Sequence, residues 1–179
     1  MLKGLFDFDR KEKNPLFALA LSQMIQFREQ LEHLQEQSDE IIYKLDLMTE
    51  GLIVALYELE QSLYVATELS NDVNGKYADR MNREEKVDYR LYVYFYKNAL
   101  IRVFSTLDKL GHFFNKAYRL KTEKVKTKFS YFTVLRNMYH KEKYPLIQKK
   151  LYYWKKKFNE PMQDLRHQRN LEIHVINID

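Results

Sequence analysis

From Tyr89 onward the chain places Tyr89, Val93, Tyr96, Leu100, Val103, Leu107, Leu110, Phe114 and Ala117 at alternating steps of four and three. A helix turns once every 3.6 residues, so this spacing gathers the apolar side chains on one face, whereas a strand needs alternation by two. The pattern predicts a helix from about Arg83 to Tyr118. Ile42, Leu45, Leu52, Leu56, Leu59 and Leu63 follow the same spacing, with Thr49 filling one slot. They predict a second long helix from about Glu40 to Leu69, weakened only modestly by Gly51. Asn71-Asp72-Val73-Asn74-Gly75 reads as the loop between them. Helices of about 30 residues span roughly 45 Å each. Two of them joined by a short loop should pack antiparallel.

The rest of the chain also reads as helix. Asn14-Pro15 has the form of an N-cap followed by proline at the first helical position. That helix should reach about Gln37, with a restart or bend at Ser38-Asp39-Glu40. Lys121 to Lys128 is a basic connector, and Phe129 to Tyr139 predicts a short helix. Pro145 should open another, running to about Phe158, with Leu146, Leu151, Tyr153, Trp154 and Phe158 as apolar contributors. Asn159-Glu160-Pro161 reads as a turn, and the final helix should carry Met162 to about Ile176. No segment reads as a strand. The expected fold is all-α, a helical bundle with two long antiparallel helices and several shorter ones, in one domain over residues 1–179.

Composition narrows the chemistry. Hydrophobic residues make up 45% of the chain and charged residues 31%, enough for a real core. There is no cysteine, which excludes disulfides, cysteine-ligated zinc and thiol catalysis and fits a cytoplasmic setting. Met1 to Asn14 mixes charges of both signs and does not read as a signal peptide. No stretch approaches the roughly 20 apolar residues that span a bilayer.

The net charge of +5 conceals an asymmetry. Residues 1–75 hold 6 basic and 14 acidic side chains, and residues 116–157 hold 14 basic and 2 acidic. A concentrated basic region is the footprint of a phosphate-rich partner such as RNA. It also fits a solvated surface, or one that pairs with the acidic half of this chain or of a second copy.

The last helix carries the most specific pattern. Met162, Leu165, Ile173 and Ile176 form an apolar stripe, and Arg169 falls within it. A cation on an inward face is costly unless it is partnered or borders a cleft. Either an acidic residue of another helix pairs with Arg169, or Arg169 lines a site. Gln163, His167, Asn170 and His174 make a polar stripe beside it. Asn170 and His174 are four residues apart and neighbours on a helix surface.

At Arg169, Asn170 and His174 the sequence resembles the HEPN superfamily of all-helical domains. Its hallmark is Arg, then usually Asn, Asp or His, then His after four to six intervening residues. A second segment adds to the resemblance. Ser105-Thr106-Leu107-Asp108-Lys109-Leu110-Gly111, then Phe114-Asn115 and Phe129-Ser130-Tyr131-Phe132, is similar to the Leu-Asp-Lys helix and Phe/Ser element of long-helix bacterial HEPN families.

The resemblance implies a metal-independent endoribonuclease that needs no cofactor. It implies a homodimer whose motif helices face each other across a cleft. Arg169 would hold the scissile phosphate, His174 would do acid–base work on the 2′-hydroxyl or the leaving 5′-oxygen, and Asn170 would orient the site. Products would be a 2′,3′-cyclic phosphate and a 5′-hydroxyl. It further implies roles in defence or toxin–antitoxin systems, with a cognate antitoxin or regulatory protein as partner. Ile176 stands where toxin–antitoxin members carry a modifiable tyrosine, which argues against that control here.

Arg166, His167, Lys155, Lys156 and Lys157 are the candidates for guiding RNA backbone toward the site. Tyr152, Tyr153 and Trp154 would either stack on bases or, the favoured reading, fill the core. Five helical steps rotate about 500°, leaving His174 roughly 140° around from Arg169. One helix therefore does not aim both at one phosphate, whereas a two-fold pair of helices does. His33, His112 and His140 are isolated, and His112, beside the apolar seam, reads as structural. His167 and His174 lie about 10 Å apart along a helix, too far to chelate one metal ion alone. No glycine-rich phosphate loop or activated serine is recognisable. The competing reading is a non-catalytic helical module that binds RNA or protein, with Arg169 as an interface or structural residue.

Overall fold

The computed structural model describes residues 14–34, 40–73, 80–141 and 144–174; for Asp72, Ile173 and His174 the description covers the backbone only. Over these residues the chain forms α1 (Pro15–Leu34), α2 (Glu40–Asp72), α3 (Arg83–Ala117), α4 (Tyr131–Lys141), α5 (Pro145–Lys157) and α6 (Asn159–His174). A 3-10 turn, Thr122–Lys124, lies between α3 and α4. No strand occurs among the described residues, so the all-α bundle expected from the apolar spacing is the one adopted.

Local signals start the helices where the sequence places them. The Asn14 side chain accepts from the amide of Leu16 at 3.0 Å, capping α1 ahead of Pro15. Asn82 accepts from the amides of Glu84 and Glu85, while Glu85 accepts from the Asn82 amide, a complete capping box for α3.

The two long helices pack on each other more extensively than any other pair. Thr49 fills its apolar slot, buried, with its hydroxyl donating to the Leu45 carbonyl at 2.7 Å. The buried stripe of α2 takes Leu52 and Leu59 as expected, but buries Ala55 ahead of the half-buried Leu56 and continues through Ser62, Val65, Ala66 and Leu69. Leu63, expected inside, is exposed. A straight helix drifts about 20° per heptad against a strict seven-residue repeat, so the shift is the geometry of 3.6 residues per turn. On α3 the seam holds at Leu100, while Tyr89 and Tyr96 lie exposed toward the N-terminal end.

Ion pairs pin the hairpin to its neighbours. The Arg28 guanidinium donates to both oxygens of Asp46, at 2.6 and 3.2 Å, joining α1 to α2. Arg102 pairs with Glu58, joining α3 to α2. Phe27 meets Phe113 edge to face at 5.8 Å, joining α1 to α3.

A second core sits where α4 crosses α3. Leu120, Tyr131, Val134, Leu135 and Met138 are buried there, with Leu107, Leu110 and Phe114 of α3 and Ile147 and Leu151 of α5 packed against them. Gly111 permits the crossing. A Cβ at that position would lie 2.7 Å from the Cα and 3.0 Å from the amide nitrogen of Tyr131. Three residues earlier on α3, the Asp108 carboxylate accepts from that same Tyr131 amide at 3.2 Å, satisfying a free N–H at the start of α4. Burial pushes the Tyr131 phenol above its ordinary pKa of 10 and keeps it neutral. His112 rests beside the Phe129 ring, 4.5 Å between centroids, although the residue itself is exposed.

The connector from α3 to α4 is held by buried polar groups. Arg119 and Lys121 adopt left-handed φ of 49° and 55°. Asn137 donates to the Leu120 carbonyl at 3.2 Å and to the Thr122 hydroxyl at 2.9 Å. Lys141 also donates to the Leu120 carbonyl.

The structure corrects several expectations. Asn71 and Asp72, read as loop, belong to the last turn of α2, where short polar side chains are tolerated because the carbonyls there have no onward helical partner. Ser38, Asp39 and Asn74-Gly75 lie outside the described residues, as do Met1 to Lys13 and Ile176. Tyr152, Tyr153 and Trp154 are exposed, not core. Ile147 and Leu151 are four apart and take the inward face of α5, which rotates the three aromatics outward. Leu146 is exposed as well. Asn159-Glu160-Pro161 is not a turn. It opens α6 after the single break at Phe158, because Pro161 has no N–H to donate to the carbonyl four residues back.

Two glycine substitutions test this packing. Gly111→Ala should destabilise by about 1–3 kcal/mol, since the obstructing atoms are backbone. Gly51→Ala, with nothing within 4 Å of the added Cβ, should stabilise by roughly 0.5–1 kcal/mol. Urea melts of both variants read the opposite signs.

Candidate functional site

α6 lies antiparallel along α3. Arg169 of α6 meets Phe104, Glu172 pairs with Lys97 at 3.0 Å, and the Tyr96 hydroxyl donates to Gln168 at 2.6 Å. From Leu107, which lines one cavity with Met162, through Phe104 under Arg169 to Lys97 at Glu172, the numbers fall along α3 as they rise along α6. The contact face of α6 follows helical phase: Met162, Leu165, Arg169 and Glu172 are half-buried, while Gln163, Arg166, His167 and Asn170 are exposed.

Arg169 is therefore wedged between helices rather than extended into solvent. Its Cζ lies 4.5 Å from the centroid of the Phe104 ring, which is buried beneath it. This cation–π contact compensates part of the lost hydration. Its Nη2 donates to the Asn170 side-chain oxygen at 2.9 Å, so Asn170 steers the guanidinium. Among the described residues no carboxylate pairs with Arg169, and its Nε is buried with no hydrogen-bond partner. An unpaired buried donor costs about 1–3 kcal/mol, and nearly all such groups in folded proteins are satisfied. Of the two alternatives open for Arg169, pairing with an acidic residue is thus not seen among the described residues. A held, unneutralised guanidinium is suited to an anion.

His174 is the last residue of α6, and its side chain lies outside what the structure describes. His167 is exposed on α6. Arg166 stacks on Phe132 of α4, 4.8 Å from Cζ to ring centroid. On α5, the ammonium groups of Lys155 and Lys156 lie 5.4 and 5.3 Å from the Tyr152 ring, and that of Lys157 lies 5.0 Å from Trp154. Among the described residues, no ion pair uses a basic residue of the 116–157 run. No group of three or more His, Asp or Glu among the described residues is placed to hold a metal ion. None of the described helices is long and apolar enough to cross a membrane.

The sequence profile of the HEPN_Cthe2314-like HEPN family matches residues 48–179, most of the chain. The chain belongs to that family. The match takes in both segments that α3, α4 and α6 bring together here: Ser105 to Gly111 with Phe129 to Phe132, and Arg169 to His174. No curated protein and no solved structure gives a significant match. Within this HEPN fold the first segment has a visible physical task. Asp108 caps α4, Gly111 admits Tyr131, and the α4–α5–α6 unit is thereby seated on α3.

Phe104 and Arg136 escaped the sequence reading, and Phe132 entered it only within the segment that carries the resemblance, with no role of its own. Phe104 lies one residue off the Leu100–Val103–Leu107 seam, so it belongs to a second face of α3 that carries α6. A second apolar stripe offset from the first was the signal available. Phe132 and Arg136 are four apart on α4, and only the tertiary arrangement that seats α4 and α6 on α3 reveals their proximity to Arg166.

The roles of Arg169 and Phe104 in stability should separate. Arg169→Met should leave the melting temperature unchanged or raise it, because it removes a desolvated cation that no described carboxylate pairs. Phe104→Ala should cost about 3 kcal/mol or more, since it empties a buried ring site. Thermal melts of both variants check this.

Proposed function

We propose that this HEPN protein is a metal-independent endoribonuclease. The observation that carries the reading is the guanidinium of Arg169, held on Phe104 and Asn170 with a buried, unpaired Nε and no carboxylate partner among the described residues. HEPN proteins include ribonucleases, which is the prior to which that site adds. The basic run around α4 and α5, which has no ion-pair partner among the described residues, supports an RNA substrate.

In this reading Arg169 binds the scissile phosphate and stabilises the charge that builds on its oxygens. The 2′-oxygen attacks phosphorus, and the bond from phosphorus to the 5′-oxygen breaks. His174 either takes the proton from the 2′-hydroxyl, with water protonating the leaving 5′-oxygen, or protonates that oxygen itself, with water taking the 2′ proton. The chain ends left behind are a 2′,3′-cyclic phosphate and a 5′-hydroxyl. Asn170 positions Arg169 and does not itself exchange protons.

The helical phase separates Arg169 from His174 by roughly 140°, which favours a site shared by two copies. The exposed apolar side chains Val87, Leu91 and Tyr94 on α3, close in sequence to the Lys97 and Tyr96 that hold α6, support a homodimer. A cytoplasmic role in defence or toxin-like RNA cleavage, with a regulatory protein partner, belongs to the same proposal.

Incubation of diverse RNAs in EDTA tests the chemistry. Wild type should cleave, and Arg169→Ala and His174→Ala should each lose about 100-fold or more. Equal cleavage by all three, or none by wild type, would falsify the reading. A mixing experiment tests the shared site. Arg169→Ala and His174→Ala proteins, unfolded together and refolded, should recover about a quarter of wild-type activity, as expected when half the dimers are mixed and each has one intact site. No recovery would place both residues in one protomer.

A further inference from the structure

A cavity of about 310 Å³ lies where α4, α5 and α6 meet α3, one helical turn from Arg169. Three cations line it, one from each of three helices: Arg136, Lys155 and Arg166. Among the described residues no carboxylate does. Aromatic rings form much of the remaining wall. Phe132 has the Arg166 guanidinium stacked on its face, and Trp154 lies parallel to Phe158 at 5.7 Å and 9°. Trp154, Phe158, Arg136 and Arg166 all retain solvent exposure, so rings and charges face the same opening. Apolar packing alone would not bring the Arg136 and Arg166 side chains, with Lys155 beside them, to one small cavity with no described counter-anion, since like charges repel.

We propose that this cavity is a slot for one unstacked nucleotide of single-stranded RNA. The proposal rests on the ribonuclease reading and names the substrate class. The size suits a base with its sugar and phosphate, rings and stacked guanidinium suit a base face, and the cations suit its phosphate. Arg166 precedes Arg169 by three residues, so the slot and the phosphate-binding arginine are neighbours along the same helix. A nucleotide seated in the slot delivers the adjoining phosphodiester toward Arg169. Bases of a duplex are stacked and paired and present no free face, so loops and single strands are the substrates and continuous duplex is not.

Trp154 is the only tryptophan in the chain, so its fluorescence reports directly on the slot. The protein with His174→Ala is titrated with a 2′-O-methyl single strand of about ten nucleotides, with adenosine 5′-monophosphate, and with a blunt RNA duplex. The single strand and the mononucleotide should quench Trp154 saturably, with the duplex at least about ten-fold weaker. Arg136→Gln, Arg166→Gln and Phe132→Leu should each weaken single-strand binding about ten-fold. Equal quenching by duplex, no quenching by the single strand, or three variants that bind like the parent overturns the slot. Cleavage of RNA by wild type without Trp154 quenching sinks the slot and leaves the ribonuclease standing. Quenching without any cleavage by wild type supports the slot and sinks the ribonuclease.

Discussion

The approach of α4 to α3 at Gly111 is the contact on which the functional half of the molecule depends. Backbone meets backbone there, with no room for a methyl group, and Asp108 satisfies the amide of Tyr131 at the same point. Once α4 is seated, Met138, Val134 and Leu135 close a small core against α3 and α5. α5 follows after a short connection, and Pro161 forces the break that turns the chain into α6. The position of Arg169 thus depends in part on the contact at Gly111, two helical turns along α3 from the Phe104 on which Arg169 rests.

α3 divides its surface among its three most extensive neighbours, α2, α4 and α6. α2 packs along it, Gly111, Asp108 and the seam residues Leu107, Leu110 and Phe114 receive α4, and Phe104 with Lys97 and Tyr96 receives α6. This division explains why one long helix carries both an apolar repeat and residues that break its symmetry. The acidic and basic halves also divide the labour. The acidic α1 and α2 are tied together by Arg28 and Asp46, while the cations of α4 and α5 find no ion-pair partner among the described residues and stay available.

Arg169 has the features of a residue kept for a ligand. Stability alone would favour an apolar side chain against Phe104, or a carboxylate opposite the guanidinium. Neither is present among the described residues. The aromatic face and the neighbouring amide of Asn170 orient the charge without neutralising it. In the proposed slot the same device recurs, with Arg166 laid on Phe132. An aromatic ring can hold a guanidinium in place and still leave its N–H groups free for phosphate.

The helical class, the two long antiparallel helices and the inward phase of Arg169 were legible from residue spacing. They follow from the 3.6-residue turn, which is a local property of the backbone. The HEPN resemblance was legible too, because Asp108, Gly111, Arg169, Asn170 and His174 stand at recognisable positions. Spacing misplaced Leu63, because the helix drifts against the repeat, and misassigned Tyr152, Tyr153 and Trp154, because hydrophobicity does not say which of two faces a short helix buries. The partners of Arg169, the role of Gly111 and the cavity ringed by Arg136, Lys155 and Arg166 were decided only by tertiary structure. Each joins residues on different helices, and their meeting depends on where whole helices cross, which no local pattern encodes.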